Sequence, residues 1–127
     1  MMDKMVIRFK DKSLIKGRPV DFSPKKTMFS FRLLNGEVVK VDIEKLKAVF
    51  MVKTFEGNKN YNYTYKDFLP WGGNKVKVEF FDGEVIIGYV PHHINNERGF
   101  FVTPADLGGN NKQVFVVTSA IRDIIYL

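Results

Sequence analysis

The chain states its plan twice. The stretch Val6-Ile7-Arg8-Phe9-Lys10-Asp11-Lys12-Ser13-Leu14-Ile15-Lys16-Gly17 returns as the stretch from Val76 to Gly88. Phe9 corresponds to Phe80, Asp11 to Asp82, Gly17 to Gly88 and Phe29 to Phe100, all at an offset of 71. The two ends correspond as well: residues 41–52 lie over residues 116–127 at an offset of 75. An internal repeat constrains architecture before any motif is read, because each copy must adopt a similar trace and then find something to bury its apolar face against. The chain divides into a first unit at 1–52, a connection at 53–74 and a second unit at 75–127. Units so short bury thin cores, so the two are expected to pack together.

Within each unit the pattern is that of short strands. Met5, Ile7 and Phe9 alternate with Arg8 and Lys10, which gives one apolar and one basic face at period two. Asp82-Gly83 marks a tight hairpin, since the turn needs positive φ, and Asp11-Lys12 occupies the same place with a residue less suited to it. A second strand follows at 13–22 and 84–90, with Gly17 and Gly88 in its middle, read as the points where one strand bends sharply to serve both sheets of a small barrel. Pro24 and Pro91 then break the pattern. A third strand is expected at 28–34 and 99–103, a fourth at 38–43 and 113–117, one helical turn at 44–46 and 119–121, and a closing strand at 48–52 and 123–127. Asn35-Gly36 turns the first copy, and the longer loop at 106–111 turns the second, which accounts for the change of offset. The expected fold is mostly β: two tandem five-stranded small barrels related by the repeat.

The net charge of +6 is unevenly placed: +6 on residues 1–52, +1 on 53–74 and −1 on 75–127. Such asymmetry points to an acidic or polyanionic partner for the first unit. Arg8, Lys10 and Lys12 lie along the first strand and its turn, Lys16 and Arg18 on the strand after the hairpin, and Lys25 and Lys26 on the next loop. These seven cations are the candidate contact surface for a protein partner or for phosphates. The connection carries Tyr61, Tyr63 and Tyr65 at period two and then Trp71, too aromatic for a solvated linker. Packing between the units is the first expectation for them, and a stacking platform for bases the second.

The chain contains no cysteine, which removes disulfides and thiolate metal sites and fits a cytoplasmic location. His92 and His93 are adjacent, so on a strand they would point to opposite faces, and no third ligand has a convincing spacing. No metal or cofactor is expected. No phosphate loop, nucleophile elbow or zinc-protease helix motif occurs, so no enzyme is expected. No apolar run reaches the ~20 residues of a membrane helix. The opening Met1-Met2-Asp3-Lys4 leads directly into a strand pattern and does not read as a signal peptide. Small barrels with open edge strands often pair with another copy, so a homo-oligomer is compatible with the pattern.

The run Phe80-Phe81-Asp82-Gly83-Glu84-Val85-Ile86-Ile87-Gly88 resembles the first signature of the Sm-like proteins, and Ser119-Ala120-Ile121-Arg122-Asp123-Ile124 resembles the turn into that fold's last strand. The resemblance extends to SH3-like barrels. It does not carry over the uridine pocket, because the loop at 21–29 lacks the expected Asn and nothing near Glu44 or Ser119 reads Arg-Gly or Lys-Gly. The two halves together also resemble an uncharacterised family of small bacterial domains, with Gly17 to Pro24 carrying its Gly and aromatic Ser-Pro stretch. Members often accompany PilZ or receiver domains, which implies a bacterial signalling setting. Asp21-Phe22-Ser23 echoes the Asp-x-Ser element by which PilZ domains bind cyclic di-GMP. Lys26 stands where that motif needs glycine, however, and no suitably spaced Arg pair precedes Asp21. The leading expectation is therefore a non-catalytic adaptor that binds a protein, with single-stranded nucleic acid and then cyclic di-GMP as alternatives.

Overall fold

The computed structural model describes residues 4–57, 60–70, 73–91 and 98–127. The first five strands are β1 (Lys4–Phe9), β2 (Leu14–Pro19), β3 (Met28–Leu33), β4 (Val38–Asp42) and β5 (Leu46–Val52), with a 3-10 turn at Ile43–Lys45. The second five are β6 (Asn74–Phe80), β7 (Val85–Val90), β8 (Gly99–Pro104), β9 (Asn111–Val117) and β10 (Ile121–Tyr126), with a 3-10 turn at Thr118–Ala120. The hairpin turns form as the sequence predicts. Gly83 takes φ 93°, and Lys12 takes φ 76° in the corresponding place despite its side chain.

All ten strands form one antiparallel sheet in the order β10-β6-β7-β8-β9-β5-β1-β2-β3-β4. This corrects the expectation of two separately closed barrels. In each group of five, the 3-10 turn carries the last strand across to the first, so the outer edge of the fourth strand finds no partner within its own group. For β9 that edge is taken by β5. The sheet therefore runs through both halves and stays open, with β4 and β10 at its two edges. The halves meet directly along β5 and β9, not only through the aromatic connection that the sequence suggested.

The strand pairings of the two groups correspond one for one. Met5 faces Gly17 and Val76 faces Gly88; Arg8 faces Leu14 and Glu79 faces Val85. Phe29 faces Val41 and Phe100 faces Val116. Phe9 faces Leu46 and Phe80 faces Ile121, each after a register shift that leaves Lys47 or Arg122 unpaired in the ladder. Adding 71 to the numbers of β1 to β3, and 75 to those of β4 and β5, converts one set into the other.

Among the described residues, two large apolar clusters lie on the sheet, beside a small third one of Leu69, Tyr89 and Ala105. The first gathers Met5, Ile7, Phe29, Phe31, Val41, Ile43, Leu46, Val49 and Met51, and it takes Phe115 and Val117 from β9. The second gathers Val76, Val78, Phe80, Ile86, Phe100, Val102, Val114 and Val116, and it takes Val6, Ala48, Phe50 and Val52 from β1 and β5. Successive side chains of a strand point to opposite faces. On β5 and β9 this sends alternate residues into the two cores. Every residue of β5 is buried as a result. Each large side chain so covered contributes about 2 kcal/mol.

Candidate functional site

The junction of the halves opens into a groove of about 370 Å³. Its floor is apolar: Val6, Phe50 and Val52, which β1 and β5 place side by side because Val6 pairs with Phe50. Lys16 joins them, since Val6 also pairs with Lys16 on the other side of β1. Arg8 stands two residues along β1 on the same face, its guanidinium 5.9 Å from the centre of the Phe50 ring. The rim is completed by Phe55 and Glu56 of the connection, Tyr63, and Glu84, Asn110 and Asn111 of the second half. Lys16 Nζ donates to the Phe55 carbonyl at 2.7 Å, and the Arg18 guanidinium lies 5.8 Å from the Phe55 ring centre.

The tyrosines of the connection are held from behind. Asp106, only 3% exposed, accepts hydrogen bonds from the Tyr61 hydroxyl and from the Thr64 backbone N–H at 2.8 Å. The Tyr63 hydroxyl accepts from the Asn110 N–H at 3.1 Å, and the Tyr63 and Tyr65 rings stack with centres 5.5 Å apart. Tyr65 packs against the second core and against Leu69, Tyr89 and Ala105. A Cβ on Gly109 would come within 2.2 Å of the Tyr63 ring, so the glycine lets the ring lie on the backbone. The three rings are thus engaged with the 105–110 loop, and only Tyr63 lines the groove.

Burial favours the neutral form of Asp106, but the bonds from Tyr61 and from the N–H groups of Thr64, Tyr65 and Gly108 outweigh it and lower its pKa. The same contact with Asp106 pushes the Tyr61 hydroxyl up to about 12, with burial adding to it. A phenol whose folded pKa is raised supports the native state below its unfolded value of about 10 and loses that support as pH rises towards the folded one. Tyr61→Phe is therefore expected to flatten the loss of stability between about pH 10 and 12. Urea midpoints measured across that range check it, and an unchanged slope would refute the assignment.

The seven predicted cations do not form one face. Arg8 and Lys16 reach the groove. Lys10 Nζ crosses to the second half, donating to Ser119 Oγ at 2.6 Å and to the Glu44 carbonyl at 2.7 Å. Lys12 borders a separate cavity with Arg8, Lys47, Asp82 and Glu84. Lys26 pairs with Asp21 at 3.1 Å, and Lys25 offers its carbonyl to Arg98. Trp71, His92 and His93 lie outside the described residues.

Lys47 has no place among the sequence candidates. It is the extra residue at the β5 register shift, and such a bulge re-aims a side chain. Lys47 is 7% exposed, its Nζ is 2.7 Å from Asp82 Oδ2 and also bonded to Glu84, and it sits 4.8 Å from the centre of the Phe80 ring. The available signal was one lysine inside the apolar run 46–52. Asp82 feels burial, which raises its pKa, but the bonds from Lys47 and the Glu84 N–H together lower it. The groove residues Phe50, Phe55 and Asn110 were equally hidden, because their convergence depends on the β5–β9 pairing.

Among the described residues no helix is long and apolar enough to cross a membrane. No curated protein and no solved structure matches the chain. One family model matches residues 1–127, and the chain therefore belongs to DUF6982, a family of unknown function.

Proposed function

We propose that the chain is a non-catalytic binding module that holds an extended, acidic segment of a partner protein in the junction groove. The observation that carries this is the groove itself. An apolar floor of Val6, Phe50 and Val52 is flanked by Arg8 and Lys16, which suits a segment alternating apolar and acidic side chains. Of the two acids on the groove rim, Glu56 and Glu84, the latter is paired with Lys47. We further read each half as a half-open small barrel of Sm-like or SH3-like type, copied once. Support comes from the matching strand order and from pairings that superpose at offsets of 71 and 75. A bacterial signalling protein is the setting that the sequence resemblance implies, and the cysteine-free sequence fits a cytoplasmic one.

Selection from a displayed random-peptide library tests this reading. Recovered peptides are expected to combine Asp or Glu with aliphatic or aromatic residues. Arg8→Glu with Lys16→Glu is expected to weaken them by about a hundredfold, as removal of two close charge pairs does, with a wild-type circular dichroism spectrum as the check that the variant is folded. Failure to recover any sequence sinks the proposal. Binding of single-stranded RNA or DNA that falls steeply with salt would replace it with the nucleic-acid alternative. Stabilisation by cyclic di-GMP would replace it with nucleotide sensing.

A further inference from the structure

The internal junction has a counterpart at the two ends of the sheet. β5 and β9 are joined by the pairs Ala48 with Val116, Val49 with Phe115, Phe50 with Val114 and Met51 with Gln113. β10 corresponds to β5 at an offset of 75, and β4 corresponds to β9 at the same offset. Both are edge strands, with no further strand beyond them among the described residues. We propose that β10 of one copy pairs antiparallel with β4 of a second copy, head to tail, repeating between chains the junction that each chain makes within itself. This inference goes beyond the peptide-binding reading and does not depend on it.

Four observations converge on a second copy as the occupant. The first is exposure. Phe50, Met51 and Val52 are 5%, 7% and 4% exposed in the internal junction, whereas their counterparts Ile125, Tyr126 and Leu127 are 45%, 54% and 64% exposed. An apolar strip of this kind on an open strand edge is a template for pairing. The second is register. Shifting the internal pairs by 75 sets Asp123 opposite Val41 of the second copy, Ile124 opposite Lys40, Ile125 opposite Val39 and Tyr126 opposite Val38.

The third is the direction of the backbone donors. Leu127 donates its N–H to Lys75 on β6, so Ile125 and Leu127 face inward while Ile124 and Tyr126 face the open edge. The Ile124 N–H, lacking a strand there, donates to the Asp123 carboxylate at 2.9 Å. On β4, Ile43 donates to Thr27 and Glu37 accepts from Leu33, so the odd residues face β3 while Val38 and Lys40 face outward. The predicted register thus matches outward residues with outward residues.

The fourth is charge. In the internal junction the bulged Lys47 reaches the hairpin aspartate Asp82 of the other half. Its counterpart is Arg122, also the unpaired residue at a register shift. The counterpart of Asp82 is Asp11, in the same turn, with one carboxylate oxygen accepting the Ser13 N–H as Asp82 accepts that of Glu84. Head-to-tail pairing brings Arg122 of one copy to Asp11 of the next. Asp123 and Lys40 replace Ala48 and Phe115, so the contact between chains is less apolar than the internal one. Its assembly is accordingly reversible and concentration-dependent. Because the two edges differ, the contact is heterologous, and successive copies close into a ring or continue as a filament.

Sedimentation of the full chain over a concentration series is the test. The wild type is expected to move from the mass of one chain to integral multiples of it. Arg122→Asp is expected to weaken assembly about tenfold, and Arg122→Asp with Asp11→Arg to restore it. Disulfide trapping provides a second readout in a chain without cysteine. Ile125→Cys mixed with Val39→Cys, a directly opposed pair with Cα atoms about 4.5 Å apart, is expected to crosslink. Ile125→Cys mixed with Lys40→Cys, on the opposite face, is expected not to. A wild type that stays at single-chain mass at every concentration overturns the proposal. So does assembly that Arg122→Asp leaves intact, or crosslinking by the second mixture as readily as by the first.

Discussion

Replacing Gly17 with valine is expected to cost about 3 kcal/mol or more and to abolish cooperative melting of much of the sheet. A Cβ at Gly17 would lie 1.9 Å from the Arg32 carbonyl oxygen and 3.0 Å from the Phe31 ring. β2 and β3 are therefore in contact at the backbone itself, with no flexible side chain able to move aside. The pairing of Gly17 with Leu33 begins there, and Arg18 and Pro19 continue it. Gly88→Val is expected to behave alike, since its Cβ would lie 2.4 Å from the Thr103 carbonyl oxygen and 2.7 Å from a Val102 methyl. Urea unfolding followed by circular dichroism measures both. Midpoints within experimental error of the wild type would show that the strands can part without cost.

The second large effect concerns Lys47. Asp82→Asn combined with Glu84→Gln is expected to cost about 2 kcal/mol, because it strands an ammonium group that is almost wholly buried. The cost is below that of a fully enclosed pair, since both carboxylates reach solvent. Lys47→Met is expected to cost much less, as the acids left behind can be hydrated and the new side chain keeps its place on the Phe80 ring. The wild type should also lose stability in acid. A carboxyl whose folded pKa is depressed stabilises the native state above its unfolded value, and that support disappears as pH falls through the folded one. For Asp82 this places the loss below the ordinary value of 3.8, and the double variant should lose less there. If Lys47→Met proves the more damaging change, the buried charge is not what the two acids are holding.

Much of the fold could be read from local signals. The strands followed from period-two patterning, although the second ends at Pro19 and not at 22, and the turns from Asp82-Gly83 and Asn35-Gly36; Gly17 and Gly88 read as bend points, whereas the structure lays the Arg32 and Thr103 carbonyls against them. The repeat led to matching expectations for the two groups of strands. What could not be read was where the edge of β9 goes. Nothing local distinguishes a fourth strand that closes its own barrel from one that accepts β5, because both need the same alternation. The site suffered most from this. Arg8 and Lys16 were legible as neighbours across a hairpin, but the floor they border comes from β5 and the rim from the 105–111 loop. Lys10 read as part of the same cationic surface, yet its ammonium reaches Ser119, whose nearness depends on tertiary structure, while Lys26 is taken up locally by Asp21.

The sharing of β5 between the two apolar clusters has a consequence for how such a protein can change over time. Neither half keeps a finished interior of its own, because each donates side chains that complete its neighbour. A substitution that shrinks Phe50 is felt in the second half, and one that shrinks Phe115 is felt in the first. The duplicated segments are thereby bound to a common fate: they can diverge freely in charge and loop length, but not in the volumes they exchange.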